Sequence, residues 1–227
     1  MRVYSTDCSA LDFIGAACDD NKIKMIIGVF LEKDKGIPGG QEQVDAIVAW
    51  ARWDLVELAV IGNEAISSKA VTVGDLTAFI SSSKQAFRNA GYNGPCTTTE
   101  PLDTWQANVG SWCDIVDVVG VNLHPFFNPD TVATDAGTFT AGQLSIADNL
   151  CPGKTAVNLE TGWPSGGSCN NMACPGSTNQ AIAVKAIVDE VGHRSVMFSY
   201  VDDTWKEPGD FECEQTWGLI HLFPLTS

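Results

Sequence analysis

Two glutamates in this 227-residue chain stand where an ordinary surface carboxylate has little reason to be. Glu64 closes the run Val-Glu-Leu-Ala-Val-Ile-Gly-Asn-Glu, and Glu160 closes Thr-Ala-Val-Asn-Leu-Glu. A carboxylate at the end of an apolar run is costly unless it faces a polar cleft. Taken singly, a strand-end Glu is more often a surface or salt-bridged residue. Taken together, with Asn63 beside one and Trp163 after the other, the pair fits acetal chemistry. One carboxylic acid protonates a departing oxygen while the other attacks the anomeric carbon, at about 5–5.5 Å separation when configuration is retained.

Other chemistries find less support. His124, His193 and His221 form no H-E-x-x-H or comparable zinc spacing. Asp202-Asp203 brings too few oxygen ligands for a hard cation. Ser165 lacks a G-x-S-x-G elbow, so a serine hydrolase is not indicated. No metal site and no cofactor are expected.

The elements that must position the glutamates alternate along the chain. Near-continuous apolar runs predict seven strands, at Arg2–Tyr4, Lys24–Phe30, Val56–Ile61, Cys96–Thr99, Val116–Asn122, Thr155–Glu160 and Val196–Val201. Helical periodicity fills the gaps. Leu76, Phe79, Ile80, Ser83 and Phe87 recur at three- and four-residue steps in Val73–Ala90, with Thr72 and Asp75 as a capping box and Gly91 as the stop. Gln41–Trp53 carries a stripe of Val44, Ile47, Val48 and Ala51, and Asn179–Val191 one of Ala183, Ala186, Ile187 and Val191. Such alternation gives a parallel sheet, closed as a barrel or open and doubly wound. No G-x-G-x-x-G follows a strand, which removes the usual reason to choose the open sheet. Tyr4, Asn63-Glu64, Glu100, Asn122, His124, Glu160 and Asp202-Asp203 fall at the C-terminal ends of different strands. In a barrel those ends converge on the face where active sites are built. The expectation is therefore a single α/β domain over 1–227, a (β/α)8 TIM barrel with seven of its strands.

Composition narrows the partners. With 44% hydrophobic and 18% charged residues the chain is a globular one. A formal charge of -15 argues against nucleic acid or an anionic membrane and leaves a neutral polysaccharide open. Eight cysteines without a C-x-x-C pair fit a disulfide-bonded, secreted protein, the alternative being buried free thiols in a cytosolic enzyme. Cys96–Cys113 and Cys169–Cys174 are the pairings expected. No stretch reaches the roughly 18 apolar residues of a membrane span. Arg2-Val3-Tyr4 opens no signal peptide, so the export signal of a secreted protein is expected to have been removed or not included. Seven strands where a (β/α)8 barrel has eight leave one strand and its helix unaccounted for. Missing that strand, Arg2–Tyr4 and Val196–Val201 would face a gap as unpaired edges.

Ile-Gly-Asn-Glu (61–64) and Glu-Thr-Gly-Trp-Pro-Ser (160–165) resemble the acid/base and nucleophile signatures of glycoside hydrolase family 17. Arg2-Val3-Tyr4-Ser5-Thr6-Asp7-Cys8, Val121-Asn122-Leu123-His124-Pro125-Phe126-Phe127, and Trp205-Lys206 with Glu214-Gln215-Thr216-Trp217-Gly218 extend the likeness in family order. The pattern is similar to the fungal cell-wall branch, whose members are β-1,3-glucan hydrolases or glucanosyltransferases. The resemblance implies a retaining enzyme with Glu64 as acid/base and Glu160 as nucleophile, with a bell-shaped pH profile from a raised and a low pKa respectively. It implies that Asn63 holds the 2-hydroxyl of the sugar and that Tyr4 and Trp163 shape the central subsite. Phe126, Phe127 and Trp205 become candidates for stacking on sugar faces or for core packing. Glu100, Asn122, His124 and Lys206 join them as substrate contacts. Ser199 stands where many relatives carry a Glu, which weakens a binding role for the last strand. The expected partner is β-1,3-glucan or laminari-oligosaccharide, met by a monomer in the extracellular space or cell wall. The alternative is a glucan-binding wall protein that keeps the cleft without turnover.

Overall fold

The computed structural model describes residues 1–223, so the last four residues of the expected 1–227 domain lie outside it. The chain forms two compact units, one of residues 1–120 and 148–156 and the other of 121–147 and 157 onward. Six strands follow the sheet order β1 to β6 in sequence.

The first unit repeats helix and strand as α1 (Ala10–Asn21), β1 (Met25–Val29), α2 (Gly36–Trp50), β2 (Val56–Asn63), α3 (Val73–Asn89), β3 (Cys96–Pro101) and α4 (Leu102–Trp112). β1 pairs parallel with β2, and β2 parallel with β3. Leu58, Ala59, Val60 and Ile61 of β2 are all buried, as a strand covered on both faces requires. β3 is polar by contrast, yet Thr97, Thr98 and Thr99 are fully buried. Their hydroxyls are partly absorbed by backbone, Thr97 donating to the Val118 carbonyl at 2.7 Å and Thr98 to Gly62 at 3.3 Å.

α3 begins where expected. The Thr72 hydroxyl accepts from the Asp75 N–H at 3.2 Å and donates to its carboxylate at 2.7 Å. The stripe Leu76, Phe79, Ile80, Ser83 and Phe87 is its buried face. α2 starts five residues before the expected Gln41, because Pro38 is tolerated in a first turn where its missing N–H has no partner to lose. α1, α4 and α5 were not legible as helical stripes.

β4 (Val119–Asn122) and β5 (Ala156–Thr161) continue the sheet order, and the second unit adds α5 (Ala136–Ala147), α6 (Ser177–Val191) and β6 (Ser195–Met197). β5 pairs parallel with β6. α5 and α6 approach closely: a Cβ on Gly137 would sit 2.2 Å from the Ala186 carbonyl oxygen, so only glycine fits there.

Two strand expectations need correction. Arg2–Tyr4 is not a strand but a single parallel bridge at Arg2, made by Val3 N–H to the Ile26 carbonyl (2.9 Å) and Ile26 N–H to Met1 (2.8 Å). The described residues thus hold six strands, not seven. The last expected strand stops at Met197, because Ser199 and Tyr200 exchange backbone hydrogen bonds with 217–220 instead of continuing the ladder.

The disulfides also differ in part. Cys169–Cys174 forms as expected, but Cys113 pairs with Cys151, with Cα atoms 5.3 Å apart, and not with Cys96. Cys96 is a buried free thiol whose burial pushes its pKa up to about 11, so it stays protonated and inert. Cys18 and Cys213 are buried free thiols too, and Cys8 is an exposed one. No helix among the described residues is long and apolar enough to cross a membrane.

Candidate active site

Glu64 belongs to the first unit and Glu160 to the second, and each carries its own surroundings. Glu64 follows the last residue of β2 in a left-handed backbone conformation, φ +50°. A non-glycine residue held there costs on the order of 1–3 kcal/mol, which the surrounding structure must supply. The Glu64 N–H donates to the Thr99 carbonyl at 2.8 Å, and its own carbonyl accepts from Ser68 N–H at 2.9 Å. Gly62 enters the turn at φ +86°, where a Cβ would meet Leu76 and Thr98.

Arg2 gathers the residues around it. Its guanidinium donates to the Asn63 side-chain oxygen at 2.7 Å and lies 4.2 Å from the centroid of the Tyr4 ring. Asn63, Tyr4 and Arg2 are all half-buried. Arg2 was overlooked as a site residue, although a basic residue two positions from Tyr4 on a strand-like run was the available signal.

Glu100 is the surprise of the first unit. It sits in β3 and is fully buried, so in this structure its carboxylate meets backbone and not solvent. It accepts from the Ile66 N–H at 2.8 Å and the Ser67 N–H at 3.2 Å. Burial raises its pKa, those two N–H groups oppose the shift, and the charge of Glu64 adds to it. A cavity of about 170 Å³ also lies in this unit, between Ser5, Phe30, Glu32, Lys35 and Gln43. None of the expected site residues lines it; of its polar groups, Lys35 pairs with Glu32 at 2.8 Å and the Gln43 amide bonds both backbone groups of Phe30.

In the second unit Glu160 lies near the end of β5 with its side chain 14% exposed. The His124 Nε2 lies 3.0 Å from its Oε1, so the tautomer protonated at Nε2 donates to the carboxylate. His124 is held by a ring of aromatics: Trp217 at 5.0 Å between centroids, Phe127 at 5.9 Å and Phe198 at 5.9 Å. Backbone ties complete the arrangement. The Leu123 N–H donates to the Glu160 carbonyl at 2.9 Å and to the Asn158 side chain at 3.1 Å. Asn158 and Trp217 are contributors that sequence reasoning did not single out, and an Asn inside the apolar run Thr-Ala-Val-Asn-Leu-Glu was the missed signal. Asn122, at the end of β4, is 5% exposed.

The expected aromatics divide into two groups. Phe126 and Trp163 have no exposed surface, packing on each other at 5.4 Å between centroids, and the Trp163 indole donates to the Cys174 carbonyl at 3.0 Å. For Phe126 the core-packing alternative is the one realised, and Trp163 supports its surroundings from within. Phe127 is 43% exposed and Trp205 80% exposed, so these two present ring faces. Lys206 pairs with Asp203 at 3.1 Å and places its ammonium 4.7 Å from the Phe198 ring centroid. Among the described residues no group of three or more His, Cys, Asp or Glu side chains is placed to hold a metal ion.

Residues 1–218 match the model of the BtgE/BtgC glycoside hydrolase domain. The chain belongs to that family. A relative from Neosartorya fischeri, named "Probable beta-glucosidase btgE", is 52% identical to this BtgE/BtgC domain over 223 residues, which are 98% of the chain and 40% of the relative. The domain thus spans about two fifths of the length of the curated relatives it matches. Among solved structures, the glycoside hydrolase family 17 β-1,3-glucanosyltransferase of Rhizomucor miehei is similar with a TM-score of 0.80 at 16% identity, over 96% of this chain and 80% of that one. An active-site mutant of the same enzyme in complex with laminaritriose gives 0.78 at 18% identity, with the same coverage. At such identities the likeness speaks for the fold. It gives the BtgE/BtgC domain the β/α fold of that enzyme, with six strands among the described residues.

Proposed function

We propose that this domain is a retaining glycosidase of the family 17 type acting on β-1,3-glucan, with Glu64 as acid/base and Glu160 as nucleophile. One observation carries the reading: in a glycoside hydrolase domain, the strand-end Glu160 is a largely buried carboxylate with an imidazole donor at 3.0 Å. A nucleophilic carboxylate needs this kind of donor, which fixes one oxygen and leaves the other to attack. Glu64, stabilised in a left-handed turn beside Asn63, is the partner that protonates the leaving oxygen and later activates water or an acceptor hydroxyl. Tyr4, Asn63, Asn122 and His124 are the polar and aromatic groups offered to the bound sugar, with Phe127 and Trp205 as stacking faces and Lys206 beside them. The substrate class follows the laminaritriose bound by the Rhizomucor miehei enzyme. A wall location and a monomeric state fit it.

The relatives' naming as β-glucosidases favours a second reading, release of single glucose units. Product sizing from a pure laminari-oligosaccharide separates the possibilities. We expect products longer or shorter than the starting chain, the first from transfer to an acceptor sugar and the second from internal hydrolysis. Glucose and the chain one unit shorter as the only initial products would establish the second reading. Glucan binding with no product at high protein concentration would replace both with a binding role.

A further inference from the structure

We propose that Glu100 is a positioning residue for Glu64, its buried carboxylate clamping the backbone turn on which the acid/base stands. The inference rests on the reading of Glu64 given above and deepens it.

Three contacts converge on that turn. The Glu64 N–H is fixed by the carbonyl of Thr99, the residue immediately before Glu100, at 2.8 Å. Two and three residues further on, the N–H groups of Ile66 and Ser67 point into the Glu100 carboxylate at 2.8 and 3.2 Å. The intervening Ala65 is fully buried and accepts at its carbonyl from Ala70 N–H at 2.9 Å. β3 therefore grips the chain on both sides of a residue held at φ +50°, once through backbone and once through a side chain. Two N–H groups accepted by the two oxygens of one side chain are held in a fixed relation to each other and to β3. A fully buried carboxylate would be a costly way to fill space, whereas two N–H donors make it a clamp. Because Glu64 shares this backbone, a loosened turn displaces its carboxyl, and misplacement by about 1 Å is enough to lower a rate roughly a hundredfold.

The test uses two substrates that differ in their need for an acid. Cleavage of laminaritriose requires protonation of a sugar leaving group, whereas 2,4-dinitrophenyl β-laminaribioside carries a leaving group that departs unprotonated. The ratio kcat/KM reports events up to the first irreversible step, so it isolates formation of the intermediate. Glu100→Gln keeps one acceptor oxygen but turns an amide N–H toward the other donor. We expect it to lower kcat/KM on laminaritriose roughly tenfold or more, while the aryl glycoside changes less than about threefold. Glu64→Gln should show the same selectivity, more strongly. An equal loss on both substrates in Glu100→Gln would overturn the proposal, since a merely structural defect does not distinguish leaving groups. An equal loss in Glu64→Gln would instead overturn the assignment of the acid. Should Glu100→Gln fold poorly, Glu100→Asp, which keeps the carboxyl but draws it back from both N–H groups, carries the same comparison.

Discussion

At the residue scale, the His124–Glu160 contact ties a second-unit carboxylate to an identifiable donor. A hydrogen bond to a charged partner is worth about 1.5–3 kcal/mol, so its loss from a reacting carboxylate translates into roughly 10- to 100-fold in rate. We therefore expect His124→Ala to lower kcat by that order with a smaller change in KM, measured by initial rates on a laminari-oligosaccharide. A variant with unchanged kcat would remove His124 from the positioning of Glu160. The strand-end placement of the two glutamates was legible from sequence because each ends an apolar run. Arg2, Asn158 and the clamp at Glu100 were not. Their importance lies in a partner 61, 35 or 34 residues away, and periodicity carries no information about such pairs. The buried rings of Phe126 and Trp163 were ambiguous for a related reason, since an aromatic type is the same whether it faces sugar or core.

At the element scale, Asp117 shows how a half-buried polar group can join a helix to a strand. Burial pushes its carboxyl pKa up, but the Lys84 ammonium at 2.6 Å, the Cys96 N–H at 2.9 Å and the Arg88 guanidinium at 3.3 Å outweigh this and hold it below the usual value. Lys84 and Arg88 come from α3 and Cys96 opens β3, so the carboxylate docks one on the other. A depressed folded-state pKa contributes stability that is complete above the unfolded value, about 3.9, and is lost as pH falls through the folded one. Asp117→Asn should accordingly lower Tm at pH 6–7, and the gap from the natural protein should close toward pH 3 in thermal melts. A gap that persists unchanged into strong acid would assign the effect to packing and not to charge. The cores of α3 and α6 and the body of each ladder strand could be read from spacing, because burial imposes a period. The absence of a strand at Arg2–Tyr4 and the early stop of β6 at Met197 could not. Both segments have strand-like composition, but the pairing that makes a strand depends on what the neighbouring segment offers, one bridge at Arg2 and the 217–220 segment beside Ser199.

At the scale of the whole molecule, alternating elements with carboxylates at strand ends specified a β/α fold and a class of chemistry, and family membership agrees with the chemistry. The short Cys169–Cys174 pairing was legible, but the partner of Cys113 escaped because loop closure brings it to Cys151 across 38 residues, a separation that composition cannot rank against its competitors. The central claim remains that Glu160 forms a covalent bond to the sugar while Glu64 supplies and removes the proton. It is tested most directly by trapping. A 2-deoxy-2-fluoro laminaribioside with an activated leaving group forms the glycosyl-enzyme readily and turns it over slowly, because fluorine destabilises the electron-poor transition state of both steps. Mass spectrometry of the intact protein should show one added fluoro-laminaribiosyl group, and sequencing of the labelled peptide should place it on Glu160. A chain that cleaves laminari-oligosaccharides yet carries the label on another residue, or none at all, would contradict the account.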